Sequence, residues 1–251
     1  MTSLATQPVE RPRTPGATFQ LYRLMLRTIV TRARVTSIGA LGLVGVLVGF
    51  AIGRSGVGEH PLPAARFVNA FGIALLVPVA TLVFASAALG DPTEDGTLVY
   101  LWLRPVQRWR IVVAAAAASF TVTWPLVTVP LTVAAALASS DRSLVVGAIA
   151  SLTVVMVGYV GLFVALGLRV KRALVWGLLY LFIWEGFVAT ANVTAARLAI
   201  RSYGRSVLEQ ISGVHLRATQ ISSPYSWIVP PVVALVALAY ASRRLARQDV
   251  A

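Results

Sequence analysis

Six long apolar runs dominate this sequence and limit what it can fold into. They cover approximately residues 36–53, 67–90, 111–138, 144–168, 174–192 and 225–242. The run 36–53 has 18 residues, and a helix of that length measures roughly 27 Å, close to the ~30 Å hydrocarbon core of a bilayer. Since lipid offers no water to backbone groups, each run must bond internally as a helix. The sequence therefore predicts an all-α integral membrane protein with six transmembrane helices.

The composition and the placement of charge agree with this prediction. Mean hydropathy is +0.78, and only 12% of the residues are charged, which is too apolar for a soluble domain of this size. The net charge of +13 would indicate nucleic-acid binding in a soluble chain. Here the arginines lie at the ends of apolar runs, where the positive-inside rule accounts for them, so we expect no nucleic-acid partner.

The distribution of basic residues predicts the orientation. Fifteen Lys and Arg residues lie on the side that carries both termini, and seven lie on the other side. Both termini are therefore predicted to be cytoplasmic. With one lysine among 22 basic residues and abundant Ala, Val and Arg, the composition is typical of a GC-rich bacterial genome. We expect a multi-pass protein of a bacterial plasma membrane.

The residues give no sign of catalysis. The chain has no cysteine, which excludes disulfides and thiolate metal sites. His60 and His215 fall in different loops, and no carboxylate–histidine spacing recurs. The one lysine, Lys171, follows Val170 rather than glycine, so the chain lacks a phosphate-binding loop. We expect no enzyme activity, and no metal or cofactor on this chain.

The segment before the first run divides in two. Residues 1–15 contain three prolines and no periodic pattern, which predicts a disordered cytoplasmic tail; residues 16–251 are expected to form one transmembrane domain. Over 16–35 the spacing is helical, with Arg23 and Arg27 on a polar stripe and Phe19 and Tyr22 on the opposite, apolar face. A basic amphipathic helix of this kind lies flat in the membrane interface.

A strip of glycines marks the first run. Gly45, Gly49 and Gly53 recur every four residues and share one helix face. Small residues at this spacing allow a second helix to approach closely. We expect this strip to be a helix-packing surface.

The loop 91–110, DPTEDGTLVYLWLRPVQRWR, is a long polar interruption between two runs that both look membrane-spanning. Asp91 is placed as an N-cap, with Pro92 in the first helical position and Glu94 three residues after the cap, so a short helix is predicted to start there. The apolar residues that follow suit a membrane surface or a partner's groove. Pro105 ends the pattern because it bars the preceding residue from helical geometry.

This loop resembles the cytoplasmic loop of ATP-binding-cassette (ABC) type-2 permeases, the membrane subunits of ABC exporters. The resemblance is carried by a pattern of seven residues: Glu94, Gly96, Thr97, Leu101, Arg104, Pro105 and Arg108. It implies that the loop is a coupling helix that docks on a separate ATPase subunit, which is where ATP and magnesium would bind. It also implies two ATPase copies, a second permease copy or homologue, and an N-terminal elbow helix at 16–35 bearing Phe19, Tyr22, Arg23 and Arg27.

Glu185 is the most prominent anomaly within a predicted span. A charged side chain at the bilayer centre costs roughly 2.5–3.5 kcal/mol on insertion scales, so Glu185 either faces the bundle interior or lies near the outer interface and is hydrated there. The pair Trp184–Glu185 is similar to a pair in the fifth span of ABC type-2 permeases, which implies a place on the translocation path. The outer loop 193–224 is polar, and the same resemblance implies partly re-entrant helices within it.

Other functions remain open on these residues. A secondary transporter or channel would respond to an ion gradient and need no ATPase. A membrane-embedded enzyme is disfavoured because no convergent catalytic set occurs in the runs. A non-transporting membrane scaffold would keep the topology and tolerate loss of Glu185.

Overall fold

The structure is a computed structural model that describes residues 16–55, 61–94, 107–191, 193–216, 221 and 223–247. All regular structure in these ranges is helical, and we number eight helices in chain order. They are α1 (Gly16–Ile29), α2 (Arg32–Arg54), α3 (Pro61–Glu94), α4 (Arg108–Ala138), α5 (Arg142–Arg169), α6 (Ala173–Val188), α7 (Ile200–Ser212) and α8 (Ser223–Arg247). Two short helical turns, Ala189–Ala191 and Val193–Ala196, lie between α6 and α7. The predicted disordered tail 1–15 lies outside the described residues.

Within the described ranges, five helices are long and apolar enough to cross a membrane: α2, α3, α4, α5 and α8. The predicted all-helical, membrane-embedded class is thereby confirmed. The predicted span 174–192 forms the shorter apolar helix α6. The long helices extend beyond the apolar runs into polar sequence. Helix α2, for example, begins at Arg32, and the Thr31 side chain accepts a hydrogen bond from the Arg34 N–H at its N-cap.

The predicted helix start at Asp91 is wrong. Helix α3 continues through this residue to Glu94 and contains Pro92 in its last turn. The Asp91 carboxylate instead accepts a hydrogen bond from Arg34 Nη2 at 2.7 Å, forming an ion pair with the start of α2.

Helix α1 differs from the predicted 16–35 helix in length and in orientation. It ends at Ile29, before the break that precedes the N-cap of α2. Its buried stripe is Leu21, Met25 and Ile29, whose i, i+4, i+8 spacing faces α4. Phe19 is 65% exposed, so the apolar face is rotated from the one we predicted.

Helix α5 lies at the centre of the bundle. Tyr159 and Phe163 on α5 are fully buried and stack with their ring centroids 5.5 Å apart. Around α5 pack α3, α4, α7 and α8. Helices α2 and α8 are peripheral and turn wide apolar faces outward, as lipid-facing helices do.

The glycine strip of α2 packs within the chain. A Cβ on Gly49 would overlap the backbone of Ala134 in α4, and one on Gly53 would overlap the Leu137 carbonyl. A Cβ on Gly45 would lie 2.9 Å from the Phe71 ring. The α2–α4 seam is therefore close enough to require glycine at positions 49 and 53.

Three polar contacts gather helix ends at one end of the bundle. Arg34 pairs with Asp91, the Arg172 N–H donates to Glu94 Oε1 at 2.6 Å, and Arg108 Nη1 donates to the Leu245 carbonyl at 2.5 Å. We call this end, defined by these six residues, the basic end. Helices α2, α4 and α6 begin there, and α3, α5 and α8 end there.

Candidate functional site

Two of the helices contain π-helical segments, Val68–Leu76 in α3 and Tyr180–Val188 in α6. In a π-helix the backbone bonds run from i to i+5, so residues five apart come to lie over each other. Tyr180 and Glu185 have this spacing, and the Tyr180 hydroxyl donates to Glu185 Oε1 at 3.0 Å. Since π-segments are rare and concentrate at functional sites, this break in α6 is the candidate site.

The Glu185 carboxyl group is buried and accepts three hydrogen bonds. Its side chain is 2% exposed. Besides the Tyr180 bond, Oε2 accepts from the Tyr159 hydroxyl of α5, and Oε1 accepts from the Ile200 N–H at 3.1 Å. Ile200 is the first residue of α7, where unpaired N–H groups and the helix dipole favour an acidic partner. All three partners are hydrogen-bond donors, and they come from α5, α6 and the start of α7.

The site lies deep within the bundle. Tyr159 precedes Arg169, at the end of α5, by ten residues, so it lies roughly 15 Å from the basic end at 1.5 Å per residue. That is about half the thickness of a bilayer's hydrocarbon core. Of the two positions that the sequence left open for Glu185, the structure shows the bundle interior. Trp184, beside it, is half-buried.

Helix α7 extends from this site toward the opposite end of the bundle. Ile200, at the start of α7, packs on Gly158: its methyl lies 3.1 Å from the position that a Cβ of Gly158 would take. Leu208, two turns later, packs on Gly147 in the same way, with its methyl 3.3 Å from the position of a Gly147 Cβ. Gly147 is near the start of α5 and Gly158 is near its middle. The predicted outer loop 193–224 thus contains a half-length helix that starts at the depth of Glu185.

The other π-segment also holds α7. Arg205 Nε donates to Asn69 Oδ1 at 3.0 Å. At the residue before Arg205, a Cβ on Gly204 would overlap the Val155 side chain of α5. Sequence reasoning missed Asn69 and Tyr159 as site residues; their one signal was a polar group inside an apolar run. Helix α7 is therefore bound at its start by one π-segment and near its middle by the other.

The predicted coupling residues fall partly outside the described ranges. Gly96, Thr97, Leu101, Arg104 and Pro105 lie among residues 95–106, which the structure does not describe. Glu94 and Arg108, which lie on either side of this segment, both form hydrogen bonds within the chain.

The bonds of Glu94 and Arg108 join the loop to two other helix ends. Glu94 accepts from the N–H of Arg172, whose φ of 57° places it in the left-handed region at the α5–α6 turn. Arg108 Nη1 donates to the Leu245 and Ala246 carbonyls in the last turn of α8. A cation is favourable there because the carbonyls at a helix C-terminus carry partial negative charge. The loop is thereby connected to α6 on one side and α8 on the other.

These observations define two places of interest, a buried polar cluster in the middle of the bundle and a connected loop at the basic end. No protein-family model matches the chain, and a search of the curated proteins gives no match either.

Proposed function

We propose that this chain is the membrane-spanning permease subunit of an ABC exporter, with six spans and both termini in the bacterial cytoplasm. A second copy or homologue would complete the path, and two separate ATPase subunits would bind ATP and magnesium. The observation that carries the proposal is the loop that joins α3 to α4. Both of its flanking residues, Glu94 and Arg108, are hydrogen-bonded to other helix ends.

These bonds give the loop a mechanical connection to the bundle. A displacement of residues 95–106 by a docked ATPase would act directly on α3 and α4. Through Glu94 it would reach the start of α6, and through Arg108 the end of α8. Packed helices move as units rather than deforming continuously, so a small movement at the loop would shift several helices together.

The buried cluster is where such a shift would have an effect. Movement of α6 against α5 changes the separation of Tyr180 and Tyr159, which both donate to Glu185. The same carboxyl group holds the first N–H of α7. Glu185 is thus placed to couple movement at the basic end to the position of α7 in the other half of the bundle. We assign Glu185 and the neighbouring Trp184 to the polar gate of the translocation path.

The experiment reverses the charges of the two flanking residues, Glu94→Lys with Arg108→Glu, in a complex with the ATPase. Because both bonds are lost, we expect membrane insertion to persist while coupled ATP turnover disappears. Glu94→Gln is the matched control, since its amide oxygen still accepts from the Arg172 N–H and turnover should be retained. Unchanged turnover and export in the double reversal would refute the coupling role of the loop.

A secondary transporter is the alternative that the structure gives a specific reason to test. A buried carboxyl group within a membrane helix is the kind of residue that proton-coupled carriers use. Such a carrier would move its substrate in ATPase-free vesicles under a proton gradient and would lose that transport in Glu185→Gln. An exporter would require the ATPase in the same assay.

A further inference from the structure

An apolar groove lies between α5 and α8 in the half of the bundle nearer the basic end. It has a volume of about 540 Å³. Leu162, Leu166 and Arg169 line it on the α5 side, at i, i+4 and i+7, while Val236 and Tyr240 lie on the α8 side. The lining is apolar except for Arg169 and Tyr240, which lie toward the ends of their helices at the basic end.

The length of the groove matches one leaflet of a membrane. The α8 residues that line it run from Val232 to Tyr240, which is roughly 12 Å along a helix. A single leaflet contributes about half of the ~30 Å hydrocarbon core. One open apolar groove therefore extends over most of a leaflet's depth and ends at its polar boundary.

Positive charge is concentrated where the groove ends. Arg169, the last residue of α5, is exposed. Arg244 follows Tyr240 by four residues and so continues the same α8 stripe. Its Nε is buried and has no hydrogen-bond partner in the described part of the chain. Arg243 and Arg247 add to the charge in the same turns. Arginines of both helices therefore bring positive charge to this end of the groove.

We propose that the groove binds an anionic phospholipid from the leaflet at the basic end. One acyl chain lies along Leu162, Leu166 and Val236, and the phosphate contacts Arg169 and Arg244. Basic pockets between membrane helices are known to bind anionic headgroups. This site is independent of the proposed exporter function, because it requires only that the bundle lie in a membrane.

Charge argues against a second copy of the chain in this groove. Two copies in one membrane place their basic ends in the same leaflet. A symmetric contact through α8 would then set Arg243, Arg244 and Arg247 beside their own equivalents, and like charges at an interface cost several kcal/mol. An anionic lipid removes that repulsion, whereas a second copy creates it.

The test titrates the purified full-length chain with dioleoyl phosphatidylglycerol or dioleoyl phosphatidylcholine and counts bound lipid by native mass spectrometry. Each basic residue near a membrane surface contributes ~1 kcal/mol toward anionic lipid. Arg169→Gln with Arg244→Gln should therefore weaken phosphatidylglycerol binding about thirtyfold, at about tenfold per 1.4 kcal/mol. Phosphatidylcholine binding should be weakened much less by this pair, because its choline cation offsets the charge of its phosphate. Ala237→Phe, which fills the groove, should reduce binding of both lipids.

Two control variants isolate the site. Arg66→Gln with Arg142→Gln removes the same amount of charge from exposed positions at the opposite end of the bundle. Val146→Phe enlarges an exposed apolar side chain of α5 away from the groove. Both should bind lipid as the natural sequence does. Natural-level phosphatidylglycerol binding by the Arg169/Arg244 pair would overturn the proposal. The proposal would also be overturned if the mass spectra showed that Ala237→Phe loses a second copy of the chain rather than bound lipid.

Discussion

Replacing Glu185 with leucine tests whether the carboxyl group holds α7 in place. The substitution leaves the Tyr159 hydroxyl, the Tyr180 hydroxyl and the Ile200 N–H without an acceptor. Each unpaired buried donor costs about 1–3 kcal/mol, and removal of the buried carboxyl group returns roughly 2.5–3.5 kcal/mol. We therefore expect a net destabilisation of about 3 kcal/mol, concentrated where α7 meets α6.

The absence of cysteine from the sequence makes the assay direct. A single cysteine at Ser202, in the first turn of α7, is labelled with a membrane-impermeant maleimide in vesicles that expose the end of the bundle opposite the basic end. If the opening of α7 limits labelling, a destabilisation of about 3 kcal/mol should increase the labelling rate by up to about a hundredfold, since each 1.4 kcal/mol corresponds to a factor of ten. Glu185→Gln is the matched variant; its remaining carbonyl oxygen can serve two of the three donors, so its labelling should rise less.

One pattern of results would refute this reasoning. If Glu185→Leu is labelled at the natural rate, and its free energy of unfolding in mixed micelles is unchanged or higher, the three hydrogen bonds do not hold α7. Glu185 would then be present for a reason other than the position of that helix.

Two further predictions concern packing and charge. Gly49→Ala should lower the free energy of unfolding by about 1–3 kcal/mol because its Cβ overlaps the backbone of α4; Gly39→Ala, which meets only one leucine methyl at 3.8 Å, should be nearly neutral in the same mixed-micelle measurement. A double-mutant cycle on Arg34→Gln and Asp91→Asn should give a coupling of about 0.5–1 kcal/mol because the pair is partly exposed. That coupling should fall as salt screens it, and a salt-independent value would contradict an ionic interaction.

Several features followed from local patterns in the sequence. The membrane-embedded helical class could be predicted because a run such as 144–168 must satisfy its own backbone bonds in lipid, and this requirement involves only neighbouring residues. The glycine spacing in α2 identified a packing surface for the same reason, since residues four apart share a helix face. That spacing did not show that α4 would be the helix packed against these glycines.

The errors in the predicted boundaries have a common cause. Asp91 has the local features of an N-cap, yet its partner is Arg34, 57 residues earlier. Predicted spans ended where apolar sequence ended, whereas α3 continues into polar residues whose partners lie far along the chain. Such contacts are absent from any local pattern. The predicted coupling role of Gly96, Thr97, Leu101, Arg104 and Pro105 stays a prediction, because these residues lie outside the described ranges.

By itself the sequence determined the coarse class, a chain of helices long and apolar enough to cross a membrane. Only the tertiary structure decided the surroundings of Glu185. Its partners Tyr159 and Ile200 are 26 and 15 residues away, and the π-helical turn that brings Tyr180 over it has no simple periodicity to read. A hydrophobic run shows that a segment is buried in lipid or protein, and this depends only on the residues of that segment. The pairing of buried polar groups depends on which helices pack together, and that is settled only when the whole chain has folded.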